Sequence, residues 1–146
     1  MQNFTSRPIE LKKDIQTIFG MLTNPTLLNP VLEKFRDKIP VKNIELSEEK
    51  VLVDTGMVGE IIMQKSNTME PNLVEYKSLK SPVPVTLTFN LSEESADKTL
   101  GQIGVALKVP PFMSGMIRSK VEPYLGELAN LLEKIDFDRL LKSDKE

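Results

Sequence analysis

A change of hydrophobic period near residue 110 governs what this chain can fold into. From residue 41 to 109 apolar side chains recur at every second position, and turn residues interrupt them at intervals of about ten, the pattern of successive antiparallel strands. Beyond it, Met113, Met116, Ile117, Val121, Tyr124, Leu125, Leu128, Leu132 and Ile135 keep three- and four-residue spacing. That spacing puts them on one stripe of a long helix over residues 111–135. A stripe of that length needs a broad apolar partner, and only the sheet is large enough to supply it. Pro123 lies mid-stripe and removes a backbone donor, which predicts a kink.

The clearest strand covers residues 83–91. There Val83, Val85, Leu87, Phe89 and Leu91 alternate with Pro84, Thr86, Thr88 and Asn90, so one face is packed and the other is wet. Ile103, Val105, Leu107 and Val109 alternate with Gly104, Ala106 and Lys108 and form its hairpin partner, the small residues allowing the sheet to bend. Further strands are predicted at 41–46, 50–54, 57–65 and 73–79, with a short first strand at 4–11, about seven in all. Between the first two, Ile15, Ile18, Phe19 and Leu22 share a helical face with Asp14 as its cap, and Asn29-Pro30 opens a second short helix. Residues 1–135 are expected to form one domain. The tail, 136–146, carries Phe137, Leu140 and Leu141 and is read as a helix extension or a partly disordered end.

Composition removes several kinds of chemistry. The 146 residues include no Cys, His or Trp. A Ser-His-Asp triad, a cysteine nucleophile and a zinc site built on thiolate or imidazole are therefore excluded. Net charge is −2, with cations scattered along the chain, so no basic face for nucleic acid is expected. Asp136 and Asp138 lack the spacing and glycine of a calcium loop, and the expectation is neither metal nor cofactor. No apolar run approaches the roughly 20 residues of a bilayer span and the N-terminus lacks a signal-peptide layout, which predicts a cytoplasmic protein without a transmembrane segment.

The order of elements, one strand, two short helices, six strands and a long closing helix, resembles the α+β helix-grip fold of the START-like superfamily, also called SRPBCC or polyketide cyclase-like proteins. The resemblance is carried by Val109-Pro110-Pro111-Phe112-Met113-Ser114-Gly115-Met116 and by Tyr124 to Leu132, and is similar to the entry into the long helix in small members from the Bacteroidota group. Asp14 to Leu22 matches less distinctively. What the resemblance implies is a curved sheet wrapped around the C-terminal helix, with a cavity where the two do not quite meet.

The expected cavity walls are Phe19 from the first helix, Met57, Ile61, Met63 and Tyr76 from the earlier strands, Leu87, Phe89, Ile103, Val105 and Leu107 from the hairpin, and Met113, Met116, Ile117 and Tyr124 from the long helix. In residues 57–65 either Met57, Ile61 and Met63 or Glu60, Ile62 and Gln64 face inward, and the alternation does not decide between them. Such walls predict a noncatalytic protein that binds a small hydrophobic molecule, a lipid, fatty acid, quinone or polyketide-like aromatic. One alternative is a cyclase- or dehydratase-like enzyme using Tyr76, Glu60 or Asp54 as proton carriers. A satisfied core tyrosine, a surface acid and a turn aspartate are the plainer readings of the same three residues. Another is an interaction module, chaperone- or ribosome-associated as in some relatives, recruiting a protein partner through Phe137, Leu140 and Leu141.

Overall fold

The computed structural model describes residues 2–38, 42–54, 59–81 and 83–138. Eight strands form one antiparallel, curled sheet: β1 (Gln2–Thr5), β2 (Ile9–Leu11), β3 (Asn43–Leu46), β4 (Lys50–Asp54), β5 (Glu60–Met69), β6 (Leu73–Lys80), β7 (Val85–Ser95) and β8 (Lys98–Leu107). The order across the sheet is β1-β8-β7-β6-β5-β4-β3, with β2 also pairing β8. Strands β1 and β2 are thus one broken edge strand, and the expected seven strand positions are present.

The break has a physical cause in Pro8, which cannot donate to a ladder, and in Ser6. The Ser6 hydroxyl oxygen accepts the Ile103 N–H at 3.0 Å, and the Ser6 carbonyl accepts from the Gln102 side chain at 2.9 Å. These bonds keep the chain on β8 while it changes direction. Curvature elsewhere comes from register shifts between β5 and β6 at Ile62/Met63 and Lys65/Asn67, where an irregularity in one strand bends the ladder. Gly104 lies opposite Thr88, and a Cβ built on it would come within 2.5 Å of the Thr88 hydroxyl, so any larger residue here would force that side chain to turn away.

Three helices fill or flank the concave side: α1 (Ile15–Thr23), α2 (Asn29–Phe35) and α3 (Ser114–Glu133), the last entered through a 3-10 turn, Pro111–Met113. Helix α1 starts where Asp14 accepts the Thr17 N–H at 3.0 Å and the Thr17 hydroxyl at 2.8 Å. The Thr17 hydroxyl bond is the main cause holding the Asp14 carboxyl below its ordinary range. Its apolar face, Ile15, Ile18, Phe19, Met21 and Leu22, is buried. Helix α3 runs through Pro123 as one 20-residue element, shorter than the expected span because the first turn is 3-10 and residues 134 and 135 lie past its end.

Helix α3 rests on β1 and β2 at one edge of the sheet. Arg7, at the break between those strands, donates to Asn130 Oδ1 at 2.8 Å and to Glu133 Oε1 at 2.6 Å, and the Glu10 N–H donates to Glu133 Oε2 at 3.1 Å. Four α3 residues are buried, Leu125, Ala129, Leu131 and Leu132, and all lie in its second half. Among the described residues no helix is long and apolar enough to cross a membrane.

Candidate functional site

Helix α3 overhangs a hollow from Ile117 to Leu132. A cavity of about 390 Å³ lies between that helix, the concave face of the sheet and the α1–α2 segment. The size falls within the range of small-molecule sites. Its floor is the inward face of the sheet: Ile44 and Leu46 from β3, Val51 and Val53 from β4, Ile61 and Met63 from β5, Tyr76 from β6, Val85, Leu87 and Phe89 from β7, and Val105 and Leu107 from β8. Val83 continues this floor ahead of β7. The roof is Ile117, Val121, Tyr124, Leu125, Leu128, Leu131 and Leu132 of α3 with Ile135 beyond it. Leu22, Pro25, Leu28, Val31 and Leu32 close one side.

Nine of the residues expected on the wall are there: Ile61, Met63, Tyr76, Leu87, Phe89, Val105, Leu107, Ile117 and Tyr124. The orientation of β5 is decided as well. Ile61 pairs with Val53 and Met63 with Val51, all four on the cavity side, so Glu60, Ile62 and Gln64 face outward.

Other expected positions lie elsewhere. Ile103 is fully buried and borders a separate void of about 20 Å³ under α1 and Phe137, and Phe19 is packed in the core. Inward alternation and helical spacing do not distinguish a residue covered by α1 from one facing the hollow. Met113, in the 3-10 turn, and Met116, in the first turn of α3, do not line the cavity, and Met116 is 55% exposed. Met57 lies outside the described residues, as do Leu140 and Leu141. Phe137 is only 4% exposed and belongs to the protein's own core, so it offers no surface to a partner.

The three proposed proton carriers do not converge. Asp54 and Glu60 are register partners at the end of the β4–β5 pair and lie on the outer face, opposite to Val53 and Ile61. Tyr76 faces inward, and its hydroxyl donates to the backbone carbonyl of Leu22. Burial pushes the Tyr76 phenol well above its ordinary range, and the charge of Glu49 adds to the effect. A phenol so placed stays protonated and tied to backbone. The trio therefore forms no shared acid-base site, because strand alternation sends two members to one face and the third to the other.

Sequence reasoning missed the β3–β4 wall and the polar rim. The run Val51-Leu52-Val53 has no alternation of polarity to reveal its inner face. Lys120 and Glu127, seven residues apart on α3, complete the lining and are exposed. Among the described residues no buried side-chain nitrogen or oxygen lacks a partner, and no three acids gather into a set able to hold a metal ion.

No family model matches the sequence, and no curated protein matches it. Solved structures do. A START superfamily protein from Mycobacterium smegmatis is 15% identical, with 97% of this chain and 98% of that chain covered and a TM-score of 0.58. Norcoclaurine synthase from Thalictrum flavum, in complex with dopamine and hydroxybenzaldehyde, is 10% identical over 94% of this chain and 87% of that one, with a TM-score of 0.69. A conserved protein from Geobacillus kaustophilus is 16% identical over 97% of both chains, with a TM-score of 0.60. The chain has the START-like fold. At these identities the likeness carries the fold alone.

Proposed function

We propose that this protein binds a small hydrophobic molecule in the cavity between the sheet and α3, without catalysing a reaction. The observation that carries the reading is a hollow of about 390 Å³ with aliphatic and aromatic walls, whose inward hydroxyl on Tyr76 is already bonded to Leu22. An apolar guest gains roughly 25 cal/mol for each Å² removed from water, whereas a polar guest would lose its hydration there without replacement. Lipid, fatty acid, quinone and polyketide-like aromatic chemistries all suit such walls.

The test is titration with Nile red, a neutral apolar dye whose emission rises in a dry site. Saturable binding is expected, and Val105→Phe, which places a ring in the hollow from the centre of β8, should weaken it about tenfold or more while the circular dichroism spectrum is retained. No emission gain, or an unchanged dissociation constant in the blocked variant, would remove the cavity as the working part.

A further inference from the structure

The cavity is almost wholly apolar except along one stripe of α3. Lys120, Tyr124 and Glu127 follow one another at i, i+4 and i+7 and all line it. At about 1.5 Å of rise per residue the two charges stand about 10 Å apart along the helix. Neighbouring charges on the helix are engaged: Arg118 pairs with Glu122 at 3.2 Å and Glu133 with Arg7 at 2.6 Å. Among the described residues Lys120 has no ion pair or hydrogen bond, and the Tyr124 hydroxyl has none either. A cation and a phenol one helical turn apart thus border a hydrophobic chamber with no intramolecular partner.

We propose that the occupant is a single-headed anionic amphiphile. Its carboxylate is held at the rim by the Lys120 ammonium, with the Tyr124 hydroxyl as second donor, and its hydrocarbon chain fills the hollow. This deepens the binding reading above and rests on it. The head stays at the rim because the interior offers a carboxylate no donor, and burying an unpaired charge is prohibitive. An anion is favoured over a cation by the local charge. Lys108 and Lys120 flank this end of α3 while Glu122 is taken up by Arg118, so Glu127, two turns from Lys120, is the one acid on the lining, and the Tyr124 hydroxyl one turn from Lys120 can donate a second bond to an anion. Lysine suits this role because its long stem lies along the apolar wall while the ammonium remains wet.

The experiment is displacement of Nile red by decanoate, decanol and decylamine, chains of equal length differing only in the head. Decanoate should bind about fivefold more tightly than decanol at low salt, the scale of a partly exposed ion pair, and the advantage should shrink at high salt. Lys120→Gln should abolish the ratio, Lys120→Arg should keep it, and Lys120→Glu should invert it in favour of decylamine. The proposal is overturned if the three chains compete alike, if decylamine wins in the native protein, or if Lys120→Gln leaves the ratio unchanged. In each of those cases the dye still binds and the hydrophobic-site reading survives. If the dye does not bind at all, both readings fall together.

Discussion

The two halves of α3 meet the same sheet on opposite terms. The second half is anchored: Leu125, Ala129, Leu131 and Leu132 are buried, Ile135 and Phe137 follow them into the core, and Arg7, Glu10 and Lys13 tie the region to Asn130, Glu133 and Asp138. The first half has no buried residue, and the roof of the hollow draws Ile117, Lys120 and Val121 from it and Tyr124, Leu125, Glu127, Leu128, Leu131 and Leu132 from the second half. One amphipathic helix therefore does two jobs, anchoring the fold through its second half and roofing a chamber along most of its length. The difference lies in what opposes it. Strand β1 supports both halves, with Arg118 over the Phe4 ring at 5.5 Å, but the bonds from Arg7 and Glu10 to Glu133 fasten the second alone, while β5, β4 and β3 toward the far edge of the sheet supply cavity floor.

The sharpest way to break this comparison is to delete the same atoms from each region. Ile103 is completely buried beneath α1 and Phe137, whereas Ile61 is half-buried on the cavity floor. Ile103→Ala should cost about 3 kcal/mol of stability, because close-packed neighbours relax only partly around lost methylenes. Ile61→Ala should cost about 1 kcal/mol, since its side chain already faces open space. Urea denaturation measures both, and equal losses would mean that the chamber is packed as tightly as the core.

A middle-sized effect is expected at Tyr76, which touches both regions by reaching from the cavity floor to the last turn of α1. Tyr76→Phe removes the donor to the Leu22 carbonyl and leaves that acceptor unsatisfied beside the hollow, a loss of about 1–2 kcal/mol. Dye binding should persist, because the ring stays on the wall. Loss of binding with stability intact would instead assign the hydroxyl to the ligand.

How much of this was legible in the sequence follows from what periodicity encodes. Alternation identified Leu87, Phe89, Val105 and Leu107 as inward, and three- and four-residue spacing placed Ile117 and Tyr124 on the facing stripe. Periodicity carries direction but not extent. It could not show that α1 covers Ile103 and packs Phe19 into the core, that Met116 is left exposed, or that Phe137 folds back into the core. The β4 wall was hidden because Val51-Leu52-Val53 is apolar on both faces. Lys120 and Glu127 were hidden for the opposite reason. Charges between stripe positions read as solvated, and only the gap beneath the helix makes them a rim.

The smallest expected effect belongs to the clamp that makes one end of α3 different from the other. Glu133 is held down to about 2 from its ordinary 4.5, first by the Arg7 side-chain bond and then by the Glu10 N–H. A carboxyl depressed in the folded state contributes stability that is fully present above its unfolded value, and that contribution is lost as pH falls through the folded one. The window therefore runs from about 4.5 down to about 2. Above it the native protein should be slightly more stable than Glu133→Gln, and across it the gap in urea midpoint should narrow toward zero. A gap that stayed constant through the window would show that the ionised carboxylate is not what fastens α3 to the β1–β2 edge. A Nile red affinity that changed in step with the gap would show that the Glu133 clamp and the cavity roof are coupled rather than independent.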